Sequence, residues 1–330
     1  MGCDRPDRLG GVLRHMNLPF RIPAPGAQPF DVAGFGLNSV DLVAVVAEHP
    51  ARNTKQPLKQ FARLPGGQIA TALAVCAKLG WRTRYLGSFG DDDLGQLSRD
   101  SLERAGVDLE MARTVAGATN QFAVILVDER SGDRTVLWSR HPLLATDPAL
   151  LPRAAVTSGR LLILDCHETA AATRAAQYAR EAALPTVLDV EKVRPGIGEL
   201  LRHIDAIIAA EAFPSELTGC GEPGRALELM AHEFGAPLVC VTLGVDGSLA
   251  RCGGREIRTP AFRIDCVDST GAGDAFRGGF AAACLRAPSG SLEDALRYAT
   301  AVAALNCRAL GARGGLPDAA EVEALLYARF

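Results

Sequence analysis

The chain lacks an apolar run of the roughly 20 residues that a membrane-spanning helix needs. Its first thirty residues carry several arginines and prolines but no continuous apolar stretch of the kind found in a signal peptide. We therefore expect no membrane partner, and we predict that residues 1–30 form a mobile N-terminal extension.

A basic block is also missing. The 35 lysines and arginines are scattered and are outweighed by 38 acidic residues, which gives a net charge of -3. A protein that binds nucleic acid or an acidic membrane normally carries a basic patch or stripe. The charge distribution therefore excludes a nucleic-acid partner and indicates a small-molecule one.

The nine cysteines contain no CxxC pair, and most of them lie in apolar runs. An odd number of cysteines in such positions predicts buried, reduced thiols in a cytoplasmic protein. Cys166, His167 and Glu168 could each bind a metal, but adjacent residues rarely bind one ion together, so zinc is not predicted.

What the chain does contain, from residue 31 onward, is an alternation of short apolar runs and longer helical patterns. A chain of 330 residues that is 48% hydrophobic can bury a large core. Predicted core strands are residues 32–36, 84–87, 161–165, 186–190, 206–209 and 238–242. Predicted helices are residues 68–79, 94–105, 170–183, 225–234, 275–285, 292–307 and 319–327. This alternation is typical of a mostly parallel sheet covered by helices.

Two segments, residues 37–64 and 119–138, do not follow this alternation. Within the second, residues 121–127 and 134–138 flank a turn and predict a β-hairpin. Such added strands would form a small sheet, a lid over the carboxyl ends of the parallel strands, where open α/β sheets bind ligands. A lid would keep water out of such a ligand site.

Residues 267–276 carry the strongest functional signal. Gly271, Ala272 and Gly273 have almost no side chain and precede an apolar helix. The free N–H groups and the dipole of a helix N-terminus favour an anion such as a phosphoryl group. Asp274 would then lie in the first helical turn as a general base. Without further evidence, a tight turn with an ordinary capping aspartate would explain a shorter glycine motif equally well.

The sequence Asp-Ser-Thr-Gly-Ala-Gly-Asp at residues 268–274 resembles the signature of the ribokinase-like (PfkB-type) carbohydrate kinases. Weaker similarities at residues 36–41, 64–67, 187–192, 241–247 and 260–262 extend the resemblance over about residues 31–317, nearest to ketohexokinase-like sugar kinases. The resemblance implies a three-layer α/β/α sandwich over residues 31–330 with a small β-sheet lid. It also implies transfer of the γ-phosphoryl group of ATP, with Mg²⁺, to a sugar hydroxyl.

The resemblance assigns Asp41, Gly66 and Gly67 to the binding of the sugar. The family usually has an asparagine where this chain has Thr71, and Gln68 lies nearby as another candidate for a contact with a hydroxyl. Turns or exposed strand ends would account for the same residue types. The departure at Thr71 weakens the case for ribose itself as the substrate.

Thr242, Gly244 and Gly247 match the strand and turn that pass under the nucleotide phosphates, and a plain hairpin turn fits the same residues. The family's Asn-x-x-Glu element, which orders magnesium, would fall at residues 210–213, but neither residue type is present there. Glu211 and Glu216 lie close by as alternatives.

Asp268 and the carbonyl of Thr270 match ligands of a monovalent cation in potassium-activated members of the family, with residues 307–313 supplying further carbonyls. Potassium activation and simple loop geometry both remain open.

We expect an unphosphorylated ketose or a related sugar as the acceptor, because the matched site positions hold no cluster of arginine or lysine. Arg140 and His141 follow the hairpin, and both could point into the cleft. A nucleoside kinase of the same fold and a non-catalytic binding relative are the alternatives. A dinucleotide oxidoreductase is excluded because Ser39 replaces the third glycine of that motif. A homodimer formed through the lid is a further expectation.

Overall fold

The structure, a computed structural model, describes residues 15–131 and 133–328. Its strands are β1 (Phe30–Phe35), β2 (Ser39–Val46), β3 (Gln60–Gly66), β4 (Thr83–Leu86), β5 (Ser88–Gly90), β6 (Arg113–Val115), β7 (Phe122–Asp128), β8 (Arg134–Ser139), β9 (Gly159–Asp165), β10 (Thr186–Val190), β11 (Ala206–Ala209), β12 (Leu238–Thr242), β13 (Ser248–Cys252) and β14 (Arg255–Thr259). Its α-helices are α1 (Gln68–Lys78), α2 (Asp93–Arg104), α3 (Arg153–Val156), α4 (Thr169–Glu181), α5 (Ile197–Leu201), α6 (Phe213–Thr218), α7 (Pro223–Phe234), α8 (Ala272–Arg286), α9 (Leu292–Asn306) and α10 (Ala319–Tyr327).

The central sheet has eight strands in the order β14-β13-β12-β11-β10-β9-β1-β4. The six strands from β12 to β4 are parallel. They are the six core strands that the sequence predicts. Strands β13 and β14, at one end of the sheet, are antiparallel and were not among the predicted core strands. Strand β14 mixes exposed charged residues with apolar ones, and β13 is mostly buried but includes Ser248 and Arg251. Neither strand therefore has the continuous apolar character of the parallel strands.

Helices cover both faces of this sheet, which confirms the predicted three-layer α/β/α sandwich. Helices α1, α8 and α9 pack on one face, and α4, α5 and α7 pack on the other. The side chains of β9 alternate between the two: Leu161 and Ile163 point to the first layer, and Leu162 and Leu164 to the second. Burial on both faces explains why these strands are apolar throughout.

A second, four-stranded sheet has the order β3-β2-β7-β8. Its strands come from the two segments that break the α/β alternation, and β7 pairs antiparallel with β8 as the predicted hairpin requires. Strand β2 is central, pairing with β3 on one side and β7 on the other. We call these four strands the small sheet.

The described part of the N-terminal segment is packed on the domain. The backbone of Met16 accepts a hydrogen bond from Leu292, Ile22 is buried, and the carbonyl of Pro23 accepts from Arg160 Nε at 2.8 Å. Residues 16–23 therefore lie with the domain and not in a separate extension. The remainder of the predicted extension, residues 1–14, lies outside the described residues.

Helices α1 and α8 cross closely at Gly278. A Cβ placed on Gly278 would lie 2.6 Å from the carbonyl oxygen of Ala72 and 2.8 Å from Cβ of Val75, both on α1. The Cys76 thiol also donates to the Gly278 carbonyl at 3.3 Å. Because backbone atoms form the contact, a larger residue would push the two helices apart.

We predict that Gly278→Ala lowers the free energy of unfolding by about 1–3 kcal/mol, because the added methyl group overpacks the helix contact. This loss is expected even though alanine favours the helix over glycine by about 1 kcal/mol. The matched control is Gly198→Ala in α5, where an added Cβ meets nothing closer than 3.6 Å. Urea unfolding of both variants checks this. If Gly278→Ala were as stable as Gly198→Ala, the helix contact would not be close enough to exclude a methyl group.

Candidate active site

The predicted site residues meet at the carboxyl edge of the parallel strands, where α1 and α8 begin. Helix α1 starts at Gln68, directly after the glycine pair, and α8 starts at Ala272 within the signature. Helices α1 and α8 pack side by side, so their N-termini lie close together although they are about two hundred residues apart in the sequence.

The start of α8 has the shape of an anion cradle. Gly271 caps the helix in the left-handed conformation, with φ of 74°, and an added Cβ would lie 2.6 Å from the carbonyl oxygen of Ala312. Only glycine tolerates both conditions. Ala272 and Gly273 follow with almost no side chain, so little obstructs a ligand at the start of the helix. The N–H of Ala272 already donates to the Ser269 carbonyl at 3.2 Å.

Asp274 lies in the first turn of α8 and is partly exposed to the cleft. Burial raises its pKa to about 6, the carboxylate of Glu191 adds to the increase, and the guanidiniums of Arg277 and Arg313 oppose it. A carboxyl with such a pKa is ionised at neutral pH and is still a stronger base than an ordinary aspartate. Asp274 therefore has the properties of a general base.

A buried pair lies behind the cradle. Arg277, one turn after Gly273, places Nε 3.0 Å from Oδ1 of Asp189, and Nη2 donates to the Ile208 carbonyl at 3.0 Å. The pair is close but not aligned as a hydrogen bond, so both oxygens of Asp189 lack a hydrogen-bond donor among the described residues. Burial raises the pKa of Asp189 far above its usual value.

The acceptor side is built on β2 and the start of α1. Asp41 is buried, Ser39 Oγ donates to it at 3.4 Å, and burial raises its pKa to about 6. Gly67 has φ of 93°, and a Cβ there would lie 2.5 Å from Cα of Asn38, so this position also requires glycine. Gly66 lies against Asp41, because a Cβ added to Gly66 would be only 2.6 Å from Oδ2 of Asp41.

Gln68 and Thr71 occupy the first turn of α1. Gln68 is 7% exposed, and neither polar atom of its amide has a hydrogen-bond partner in the described chain. A buried amide without a partner is costly, and a ligand hydroxyl would satisfy it. Thr71 is fully buried and accepts a hydrogen bond from Arg313 Nε at 3.2 Å.

Arg313 was not predicted as a site residue, because the sequence suggested only a role for the backbone of residues 307–313. Its guanidinium donates to Thr71, to Ser101 Oγ at 3.0 Å and to the Gly66 carbonyl at 2.6 Å. Burial lowers its pKa to about 10, while Asp274 and Asp41 favour its charged form. The charge of Arg313 thus acts on both carboxylates. Its guanidinium contacts Thr71, which stands where the family usually has an asparagine.

A cavity of about 970 Å³ opens beside the cradle. Thr242, Gly244 and Gly247 line it together with Ala272 and Gly273, so the structure brings the predicted nucleotide-binding residues together. Gly247 also turns the chain from β12 into β13, as the hairpin interpretation of this segment requires. Apolar side chains such as Phe262, Phe276 and Ala304 form the remaining wall, which suits a flat heterocycle.

Asp268 joins the two loops that were predicted to hold a monovalent cation. One of its carboxylate oxygens accepts from the N–H of Thr270 at 2.9 Å, and the other accepts from the N–H of Gly311 at 2.8 Å.

The acids near the expected magnesium position differ from the family pattern. Phe213 is buried where the family's Asn-x-x-Glu element has its glutamate, so no carboxylate replaces it at that position. Glu191, at the end of β10, is the unpredicted acid whose charge acts on both Asp189 and Asp274.

Comparison with known proteins agrees with this geometry. The family model for pfkB family carbohydrate kinases matches residues 30–319. An ATP-dependent ribose-1-phosphate kinase of Halopiger xanaduensis is 32% identical over 293 residues, 88% of this chain and 96% of that protein. The ribokinase of Bacillus subtilis is 28% identical over 90% of this chain and 99% of its own length.

Among solved structures, Arabidopsis thaliana ribokinase complexed with ribose and ATP superposes with a TM-score of 0.80 at 27% identity, covering 91% of this chain and 99% of that one. The family match and the fold agree with each other. The chain therefore belongs to the PfkB family of carbohydrate kinases, and it is an ATP-dependent kinase that acts on a sugar or a nucleoside.

Proposed function

We propose that Asp274 removes the proton from the acceptor hydroxyl while the backbone N–H groups of residues 271–273 hold the migrating phosphoryl group. The observation that carries this assignment is the position of a carboxylate with a raised pKa in the first turn of the helix that forms the cradle. The hydroxyl oxygen attacks the γ-phosphorus of ATP, the bond to the β-phosphate oxygen breaks, and ADP leaves.

On the acceptor side, Asp41 would accept hydrogen bonds from two hydroxyl groups, since a carboxylate has acceptor sites on both oxygens. The unpartnered amide of Gln68 would bind a third polar group of the acceptor. Gly66 and Gly67 would allow the acceptor to approach the backbone, because a side chain at either position would fill that space.

The nucleotide would occupy the cavity lined by Thr242, Gly244 and Gly247, with its phosphates directed toward Gly271 and Gly273. Mg²⁺ binds mainly to phosphate oxygens and water, with one or two carboxylates. Glu191, which is exposed directly after β10, fits that role, whereas Asp189 is buried and paired with Arg277 and does not. The described residues contain no cluster of three or more acids, histidines or cysteines around one point. Bound at Glu191, the ion would neutralise charge on the phosphates.

Activation by a monovalent cation at Asp268 and Thr270 remains part of the proposal. It is supported by the hydrogen bonds that the Asp268 carboxylate accepts from the N–H groups of Thr270 and Gly311, which hold the two loops together beside the cradle. Assays in matched potassium and tetramethylammonium salts test it, because the second cation is too large for such a loop.

We also propose a homodimer through the small sheet. The two outer strands of the small sheet carry large apolar side chains that are 47% to 61% exposed, Phe61 on β3 and Val136, Leu137 and Trp138 on β8. Exposed apolar side chains of this size favour contact with another protein surface. Location in the cytoplasm is supported by the eight described cysteines, which are all free thiols. Within the described residues, no helix has the length and apolarity that a membrane span requires.

We predict that Asp274→Asn lowers kcat by about 10²–10⁴-fold, the usual contribution of a positioned base. The amide has nearly the same shape, so the fold should survive. Steady-state kinetics and a melting curve check the prediction, with the exposed Asp294→Asn in α9 as the control. A folded Asp274→Asn enzyme that kept more than a tenth of the wild-type kcat would remove the assignment.

Replacement of Asp41 should affect the acceptor and leave the nucleotide alone. We expect Asp41→Ala to reduce kcat/KM for the acceptor by at least about tenfold, the effect of losing charged hydrogen bonds, with no change in the Kd of ATP measured by calorimetry. Asp133→Ala, in the exposed turn of the same sheet, is the control. Weaker binding of ATP with normal acceptor kinetics would place Asp41 on the wrong side of the cleft.

The raised pKa of Asp274 sets the pH dependence. The base must be ionised, so kcat/KM should fall as pH drops through about 6 and level off above neutrality. Because the carboxyl of Asp41 titrates in the same range, the observed value belongs to the pair. In Arg313→Gln the lost cation should move this acid limb to higher pH, whereas Arg313→Lys should keep it near its original position. An unmoved limb in Arg313→Gln would show that the guanidinium does not act on the two carboxyls.

A further inference from the structure

Three basic side chains from separate segments meet beside the acceptor site. Arg140 follows β8 of the small sheet, His167 follows β9, and Arg194 lies in the segment after β10. Strands β9 and β10 are neighbouring parallel strands, so their carboxyl ends meet at the edge that carries Asp41 and Asp274. We call these three residues the basic cluster.

Within the cluster, Arg140 is held in place and Arg194 is not. Arg140 forms an ion pair with Glu168 and donates to the Leu144 carbonyl at 3.1 Å. Arg194 Nη2 lies 3.5 Å from both ring nitrogens of His167, while its Nε is buried without a hydrogen-bond partner. Among residues 15–131 and 133–328, no carboxylate pairs with Arg194.

The surroundings of His167 show that positive charge is in excess here. Burial lowers the pKa of this histidine to about 3, and the charges of Arg194 and Arg140 lower it further. The imidazole is therefore neutral at physiological pH and available as a hydrogen-bond donor. Glu168 offsets one of the two guanidiniums, which leaves the charge of the other without compensation.

The cluster is connected to the acceptor site through Asp165. One oxygen of Asp165 accepts from the N–H of His167 at 3.0 Å, and the other accepts from the N–H of Leu37 at 2.6 Å. Leu37 lies just before β2, the strand that carries Asp41. Arg140 Nη1 also donates to Gln121 Oε1 at 3.3 Å, and the Gln121 carbonyl accepts from the N–H of Val40, the residue before Asp41. These contacts place the cluster next to the proposed acceptor site. The indole of Trp138 lies edge-on to the His167 ring, at 6.4 Å between centroids, and partly covers this end of the cleft.

We infer that the acceptor carries a phosphate group, which Arg194 and His167 bind while a hydroxyl at the other end of the acceptor reaches Asp274. The inference rests on the proposed function and adds the class of acceptor, a phosphorylated sugar. Guanidinium groups bind phosphate oxygens in pairs, and Arg194 still has free donors for them. The phosphate is a spectator: Asp274 takes the hydroxyl proton, the γ-phosphoryl group moves to the oxygen, and ADP leaves.

This differs from the unphosphorylated acceptor that the sequence favours. That expectation depended on the positions matched to the family motifs, none of which includes Arg194. Arg140 was recognised as a cation near the cleft, but its partners were not visible because residues 140, 167 and 194 are far apart in the chain.

The test is a panel of acceptors given to the full-length enzyme with ATP: ribose and fructose, their phosphate esters, and adenosine. We expect at least one phosphate ester to exceed its parent sugar about tenfold or more in kcat/KM, the effect expected from charged hydrogen bonds. Arg194→Gln should remove that preference by raising KM for the ester, with kcat/KM for the parent sugar unchanged. Arg194→Lys should restore part of it. The control is Arg174→Gln, which changes an exposed arginine of α4 that contacts Tyr178.

The outcomes separate this inference from the proposed function. If parent sugars or adenosine were phosphorylated as well as the esters, the enzyme would be a kinase but the phosphate inference would be wrong. An equal loss for all acceptors in a folded Arg194→Gln would also overturn it, because the residue would then act only on structure. If no acceptor were phosphorylated, the proposed function itself would fail.

Discussion

The buried guanidinium of Arg313 lies among groups that come from every part of the site. It donates to the carbonyl of Gly66 and to Thr71 at the start of α1, and its charge favours the ionised forms of Asp41 and Asp274. Burying two carboxylates in one cleft is costly, because each raises the pKa of the other as well as losing water. A cation shared between them lowers that cost. Arg313 therefore links the glycine pair, Asp41 and Asp274 through its hydrogen bonds and its charge.

The central sheet explains why such distant residues meet. Parallel strands place their carboxyl ends along one edge, and helices that return along the same face begin at that edge. Helices α1 and α8 then approach until backbone touches backbone at Gly278. Their N-termini cannot separate without opening this contact, so the acceptor side and the cradle are fixed relative to each other within the body of the protein.

Much of this arrangement could be predicted from the sequence because it is local. The six parallel strands are continuous apolar runs, and the cradle and the base occur within seven consecutive residues, 268–274. The two antiparallel strands, β13 and β14, were missed because polar and charged residues interrupt their apolar pattern. Arg313, Glu191 and Arg194 were missed for another reason: each acts through its side chain on residues far away in sequence. The hydrogen bond from Arg313 to the Gly66 carbonyl spans 247 positions, and the sequence around either residue does not predict it.

The two aspartates at the centre of the site belong to different parts of the fold. Asp41 lies within β2, where it is paired with Leu64 of β3 and Ala123 of β7, so it is a residue of the small sheet. Asp274 and the nucleotide cavity belong to the sandwich. Under the proposed function, ATP would bind to the sandwich, whereas the acceptor would contact Asp41 of the small sheet as well as Gln68 at the start of α1. In the proposed reaction, the distance between the acceptor hydroxyl and Asp274 would therefore depend on the contact between the small sheet and the sandwich, which the hydrogen bond from Arg313 to the Gly66 carbonyl spans.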